Sequence, residues 1–332
     1  MTTQRVTAQG VAAAVVLALT LAGCTASSHQ VADPPADTSA HPVVALGQAG
    51  SVLNAVQAAL VRGVTAKDTA STVDARLVGP FRDLELAQAR IAAELKTKAA
   101  TPSTVQQPRL IVASSQAWPR FFIAVGTTND AATPVLRVLL SAAPRSPYGL
   151  WAEATMLPGA TLPLTAPETT GSAVLPADAG GLVATPKEVL SGYAGYLNAG
   201  AKTTQSRQFR RGVYSDQLLQ ALAADRKELK AVATVSSTHT PGPGAPLALR
   251  TADGGALVIG ELQQNYVITI KKGKGSVTVD KNLAALAGGQ KKIKKSLTRT
   301  AVEVVVFHVP PRGKGVITVI AAQKGDVKAV IT

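Results

Sequence analysis

The chemistry available to this chain is confined to a few residue groups. Leu21-Ala22-Gly23-Cys24 closes an apolar run, Val11 to Leu21, that follows one early basic residue, Arg5, and Cys24 is the only cysteine. Small residues running into a cysteine after a short apolar stretch match a lipobox. In that reading the Cys24 thiol takes a diacylglyceryl group, and the chain is cut between Gly23 and Cys24. The run is too short to span a bilayer, which takes about 20 apolar residues. With its thiol in a thioether, the mature chain has no disulfide, no thiol nucleophile and no cysteine metal site.

The histidines offer little catalysis. His29 and His41 fall in a Ser/Thr/Pro-rich stretch; His239 precedes Pro241-Gly242-Pro243-Gly244 and reads as an exposed loop residue; His308 closes an apolar strand. No pair has metal-ligand spacing, and there is no Gly-x-Ser-x-Gly elbow. An enzyme would need an Asp or Glu within reach of His239 or His308 inside a cleft. Glu261 and Glu303 either share such a cleft or sit at solvent-facing strand positions. Gly273-Lys274-Gly275-Ser276 lacks the earlier glycine and the following helix of a phosphate loop, and reads as a basic hairpin turn. The expectation is no catalytic residue, no metal and no cofactor.

The positive signal is charge. The formal net charge is +14, and the excess lies in the C-terminal part. Lys271, Lys272, Lys274, Lys281, Lys291, Lys292, Lys294, Lys295 and Arg299 face a single acid, Asp280, over residues 271–299. Such a run is either a solvated face or a contact surface for anionic material. Lys271, Lys272, Lys274, Lys291, Lys292, Lys294, Lys295 and Arg299 are the candidate contacts. The segment has no interleaved aromatics for base stacking, so nucleic acid is not expected.

The elements that position these groups are legible by period. Residues 1–23 are the signal and 24–42 a flexible tether rich in Ser, Thr, Ala, Asp and Pro. A helix spans 46–62, a short one Ser71 to Gly79, and a third Phe81 to Lys96. Strands follow at 110–113, 121–127, 135–142 and 150–157. The Pro/Gly-rich stretch 158–181 holds one further edge segment at Ala160 to Leu164. The order then recurs: Thr185-Pro186-Lys187-Glu188 starts a helix as a capping box, Ser215 caps another, and strands follow at 231–237, 247–251, 256–271, 276–279, 302–309, 316–322 and 327–331. Two α+β domains result, 43–165 and 185–332, joined by a linker at 166–184. Their closing meanders align as 121–125, 135–142 and 150–156 with 302–307, 316–322 and 327–331.

With its lipobox, Ala-rich composition, helix stripes and closing meanders, the chain resembles uncharacterised actinobacterial lipoproteins with two tandem NTF2-like (cystatin-like) domains. The resemblance implies an α+β fold of two helix-led, curved antiparallel sheets, and carries no catalytic residues. It implies a protein held outside the cytoplasm by its N-terminal lipid. The reading that follows is a binding or assembly module that meets an envelope polymer, phospholipid or acidic protein through its basic face. Small-ligand carriage in one cone, or an Asp/His-type enzyme, are the alternatives.

Overall fold

Val52, Val56, Ala59 and Leu60 recur at three- and four-residue spacing and form the buried stripe of α1 (Leu46–Arg62), which ends at Gly63 with φ 73°. In α2 (Gly79–Glu94) Pro80 sits in the first turn, where a missing amide costs nothing, and Leu84, Ala87 and Ile91 are buried. The computed structural model describes residues 40–332 apart from 99, 201, 202 and 204. Leu21, Ala22, Gly23, Cys24 and His29 lie outside the described residues.

The helix expected from Ser71 is replaced by turns. Asp68 accepts from Thr65 N at 2.7 Å, and Thr72 Oγ1 accepts from Thr69 N at 2.8 Å, so side chains take amides that a helix would use. The four predicted strands appear as β1 (Arg109–Ser114), β2 (Arg120–Thr128), β3 (Ala131–Ser141) and β4 (Gly149–Met156), paired in sequence as an antiparallel meander. Ala160 to Leu164 forms no strand; β5 (Ser172–Ala173) pairs parallel to the end of β1 instead.

In the second half, α3 (Pro186–Ala199) starts with the expected capping box. Glu188 Oε2 accepts from Thr185 N at 2.9 Å, and Thr185 Oγ1 from Glu188 N at 3.3 Å. α4 (Val213–Glu228) is capped at Gly212, with Ser215 three residues inside. The strands are β6 (Ala233–Pro241), β7 (Leu247–Arg250), β8 (Ala256–Ile270), β9 (Val277–Thr278), β10 (Lys292–Ile293), β11 (Ser296–Val309) and β12 (Thr318–Ile331). Residues 316–322 and 327–331, expected as two strands, are one. A bulge opposite Thr300 and Ala301 sets the break in alternation near Gly325 that mimicked a turn. α5 (Lys281–Leu286), not foreseen, is capped by Asp280, whose carboxylate accepts from Asn282 N and Leu283 N at 2.9 and 3.0 Å.

The α+β class holds, but the sheet is shared. One ten-stranded sheet runs β5-β1-β2-β3-β4-β12-β11-β8-β6, with β7 also on β8. The halves meet where Met156 and Thr155 pair with Ala321 and Ala322. Outward from that join the order is mirrored, so β2, β3 and β4 correspond to β8, β11 and β12, one strand off the alignment made from sequence. Residues 39–332 form one compact unit, and the expected linker 166–184 is structural. It supplies β5, and Val174 and Leu182 bridge Leu249 and Pro311. Through that Val174–Leu249 bridge, main-chain pairing returns from β7 to β5 and the sheet curls round on itself.

One core holds the α1 stripe, Phe121, Phe122, Leu136, Leu139 and Leu150, with Leu257, Ile259, Val304 and Val306 from the second half. The alternate residues Val258, Leu262, Val305 and Phe307 face the other way, into a core with Val189, Leu190, Tyr193 and Leu197 of α3. A third cluster, with Ile268, Leu283, Ile293, Leu297 and Ile331, closes the end of β8, β11 and β12.

Candidate functional site

Lys291-Lys292-Ile293-Lys294-Lys295 is held by its middle residue. Ile293 is fully buried in the third cluster, and β10 pairs Ile293 and Lys292 with Val277 and Thr278 of β9. The four lysines on either side are exposed. The turn after β8 brings Lys271, Lys272 and Lys274 to the same end, with Gly273 and Gly275 at φ 74° and 79°, where a side chain would strain. Lys271, Lys272, Lys274, Lys294 and Lys295 line an open basin of about 680 Å3 with Ser296 and Thr332. The one acid of the stretch, Asp280, is occupied as the α5 cap.

Three candidates sit apart from this basin. Lys291 and Lys292 lie on the β10 side and do not line it. Arg299 is spent elsewhere: its guanidinium stacks 4.3 Å over the Tyr266 ring and contacts Asp326 at 3.4 Å.

The histidines depart most from expectation. His239 is not in a loop; it lies within β6 and is almost fully buried. Its Nε2 is 3.3 Å from Glu303 Oε1, and Glu303 has no exposed surface at all. Lys324 Nζ stands 3.1 Å from the same oxygen, while Tyr214 of α4 donates to Glu303 Oε2 at 2.9 Å. Lys324 also donates to Gln264 Oε1 at 2.5 Å, and Gln264 donates to Ser237 at 2.8 Å. Adjacent strands β6, β8, β11 and β12 thus all give polar residues to a row beneath α4, Ser237 and His239 from β6 and one from each of the others.

Burial pushes the Glu303 carboxyl up, but His239 and Lys324 outweigh it and hold the group below its ordinary value. The Tyr214 hydroxyl is pushed far up by burial and by Glu303. Glu261 is not a partner: it pairs with Val304 and so faces the opposite side of the sheet from Glu303. The two carboxylates share no cleft.

His308 has a carboxylate too. Asp253 Oδ2 lies 3.0 Å from its Nε2, and Asp253 Oδ1 accepts from Thr251 Oγ1 at 2.6 Å and Gly255 N at 3.0 Å. Those bonds, Thr251 first, keep the Asp253 carboxyl below its ordinary range. This pair stands on an exposed hairpin turn, whereas Glu303 and His239 are sealed under α4.

A family model described as a domain of unknown function, DUF8094, matches residues 26–329. The chain belongs to the DUF8094 family. One family unit therefore spans both halves of the shared sheet. Two relatives of this DUF8094 chain are an uncharacterised lipoprotein of Streptomyces avermitilis and one of Streptomyces coelicolor. Each is 27% identical over 311 residues, covering 91% of this chain and 88% and 89% of theirs. No solved structure matches it. Among the described residues of this DUF8094 member, no helix is long and apolar enough to cross a membrane.

Proposed function

We propose that this chain is a lipid-anchored, extracytoplasmic binding module whose lysine-rich end contacts a phosphate-bearing polyanion of the envelope. The observation that carries it is the convergence of two separate segments, Lys271 to Lys274 and Lys294 to Lys295, on one open basin. Lysines placed only for solubility have no need to gather; like charges crowded together repel, and the arrangement lowers that cost only when an anion is between them. The lipobox at Leu21 to Cys24 and the lipoprotein names of the two relatives support the anchor. The mirrored strand order about the β4–β12 join supports reading the halves as two fused NTF2-like units. The carboxylate–imidazole pairs, one sealed and one on an open turn, favour binding over catalysis.

The test is binding of soluble residues 39–332 to a poly(glycerol phosphate) and to anionic vesicles across a salt series. Each lysine near an anionic surface contributes about 1 kcal/mol, fading over a Debye length. Reversing Lys271, Lys272, Lys274, Lys294 and Lys295 to Glu should therefore weaken binding by at least about a hundredfold at low salt. Binding that is insensitive to salt, or unchanged in the variant, defeats the proposal.

Small-ligand carriage is a second reading, favoured by one observation. Leu60, Phe81, Glu85, Ile91, Arg137 and Glu153 line a pocket of about 590 Å3 together with Lys281 and Asn282 of α5. Arg137 Nε donates to Glu153 Oε2 at 2.5 Å, and Arg137 also donates to Ser103 O at 2.9 Å. Saturable uptake of an apolar dye, lost in Phe81→Glu, would support that reading.

A further inference from the structure

At the start of β2 and β4, away from the lysine basin, a smaller pocket of about 340 Å3 is lined by Arg76, Trp118, Arg120, Ser141, Tyr148 and Val43, among others, and by no acidic residue. Two arginines line it, and among the described residues no carboxylate lines it with them. The Arg76 guanidinium donates to Tyr148 O at 2.7 Å. Asp74, two residues before it, feels the Arg76 charge, but its oxygens are taken by Arg62 and by Arg76's own backbone amide. Arg120 donates to Gln116 O at 3.3 Å and stacks 3.9 Å over the Trp118 ring, and its buried Nε has no partner.

An unpaired buried donor on a charged group carries a desolvation cost that a neighbouring anion relieves. Arg presents a planar fork suited to two oxygens of one phosphate or carboxylate. Trp118 beside it is 37% exposed, with Arg120 over the face of its ring. The place of the pocket narrows the ligand. Val43 lines it, accepts from the Tyr148 hydroxyl at 2.9 Å, and stands 19 positions after Cys24 in the sequence.

From this geometry we infer that Arg76, Arg120 and Trp118 form a phosphate site, and that its occupant is the headgroup phosphate of the bilayer to which the chain is anchored. The inference rests on the anchor reading but not on the lysine basin. Arg120 supplies the charged edge of its guanidinium, and Arg76 a second cation. Trp118 supplies an amphipathic ring of the kind that settles at a membrane–water interface. Bilayer and envelope polymer are then met by different parts of one molecule: arginines where the chain leaves for its anchor, lysines at the end of β8.

Trp118 is a built-in reporter, because the chain has 2 tryptophans and Trp151 packs against Gly79. Emission of soluble residues 39–332 would be followed against glycerol phosphate, phosphatidylglycerol vesicles and phosphatidylcholine vesicles, with Trp118→Phe identifying the signal. The expected result is a saturable change with glycerol phosphate and a tighter one with phosphatidylglycerol vesicles. Both should weaken about tenfold or more in Arg120→Gln and Arg76→Gln. Arg90→Gln, an exposed helix arginine outside the pocket, and the five-lysine reversal should leave Trp118 titrations with glycerol phosphate within about twofold.

Arg120→Lys keeps the charge without the fork and should also bind weakly. It carries the test if Arg120→Gln does not fold. Glycerol phosphate binding without vesicle binding overturns the bilayer as the source. Equal loss in Arg90→Gln and Arg120→Gln, or wild-type affinity in both pocket variants, overturns the site itself. Loss in the lysine reversal alone overturns it as well, and leaves the basin as the one phosphate surface.

Discussion

Glu303 is the residue whose surroundings its neighbours in the chain least announce. It stands in Val302-Glu303-Val304-Val305, a run that reads equally as a strand with one solvent-facing carboxylate. It is buried because β11 is covered on both faces, and it stays charged because His239, Lys324 and Tyr214 arrive from β6, β12 and α4. Its carboxyl is held below the ordinary value of 4.5, so its contribution to stability is complete above that value and is lost as pH falls through the depressed one. Denaturant melts should therefore show stability falling on the acid side of pH 4.5, with a shallower acid limb in Glu303→Gln. At neutral pH that variant should lose roughly 3 kcal/mol, the low end for breaking a buried pair, because Lys324 keeps some contact with water. A variant as stable as wild type at neutral pH and with the same acid limb would show that the row carries no charge.

Among the elements, helix α1 came out with the bounds that its apolar stripe predicts, and α3 with its capping box, because both signals are local. The strands of the first meander were legible for the same reason. Elements set by contacts distant in sequence were not. α4 carries Leu218, Leu219 and Leu222, which are only half-buried at the margins of two cores, while Tyr214 and Ser215 of its first turn are buried and Asp225 and Arg226 bond Tyr266 and Val235. The approach of α3 is set by a glycine: a Cβ on Gly260 would stand 2.4 Å from Leu190 Cδ1. Gly325 makes the same allowance for Leu84 of α2, at 2.5 Å. Gly260→Ala should cost about 1–3 kcal/mol by overpacking. Adding Leu190→Ala should cost less than Leu190→Ala does in the wild-type background, a coupling that a double-mutant cycle reads directly. Additive costs would mean that α3 does not rest on β8 at that point.

At the scale of the whole molecule, one sheet makes the halves interdependent. Residues of β8 and β11 fill the core that α1 covers, so neither 43–165 nor 185–332 keeps its buried face when cut from the other. The two pieces expressed separately should be poorly folded, and residues 39–332 should unfold in one cooperative transition by circular dichroism and by tryptophan emission. Two separate transitions, or a well-dispersed spectrum from either piece, would restore two independent domains. By itself the sequence determined what depends on neighbours within a few positions: the helix stripes, the α3 capping box, the strands of the first meander, and a lysine run whose density keeps it at the surface. It also showed that an order of elements recurs, since each half carries its own helices and meander. Tertiary structure alone decided that the two meanders join through β4 and β12, that His239 meets Glu303, that Arg299 leaves the basic face for Tyr266, and that Arg76 and Arg120 converge. Each of those is a pairing across tens of residues, chosen by which faces remain to be buried once the local elements have formed, and no period along the chain records that choice.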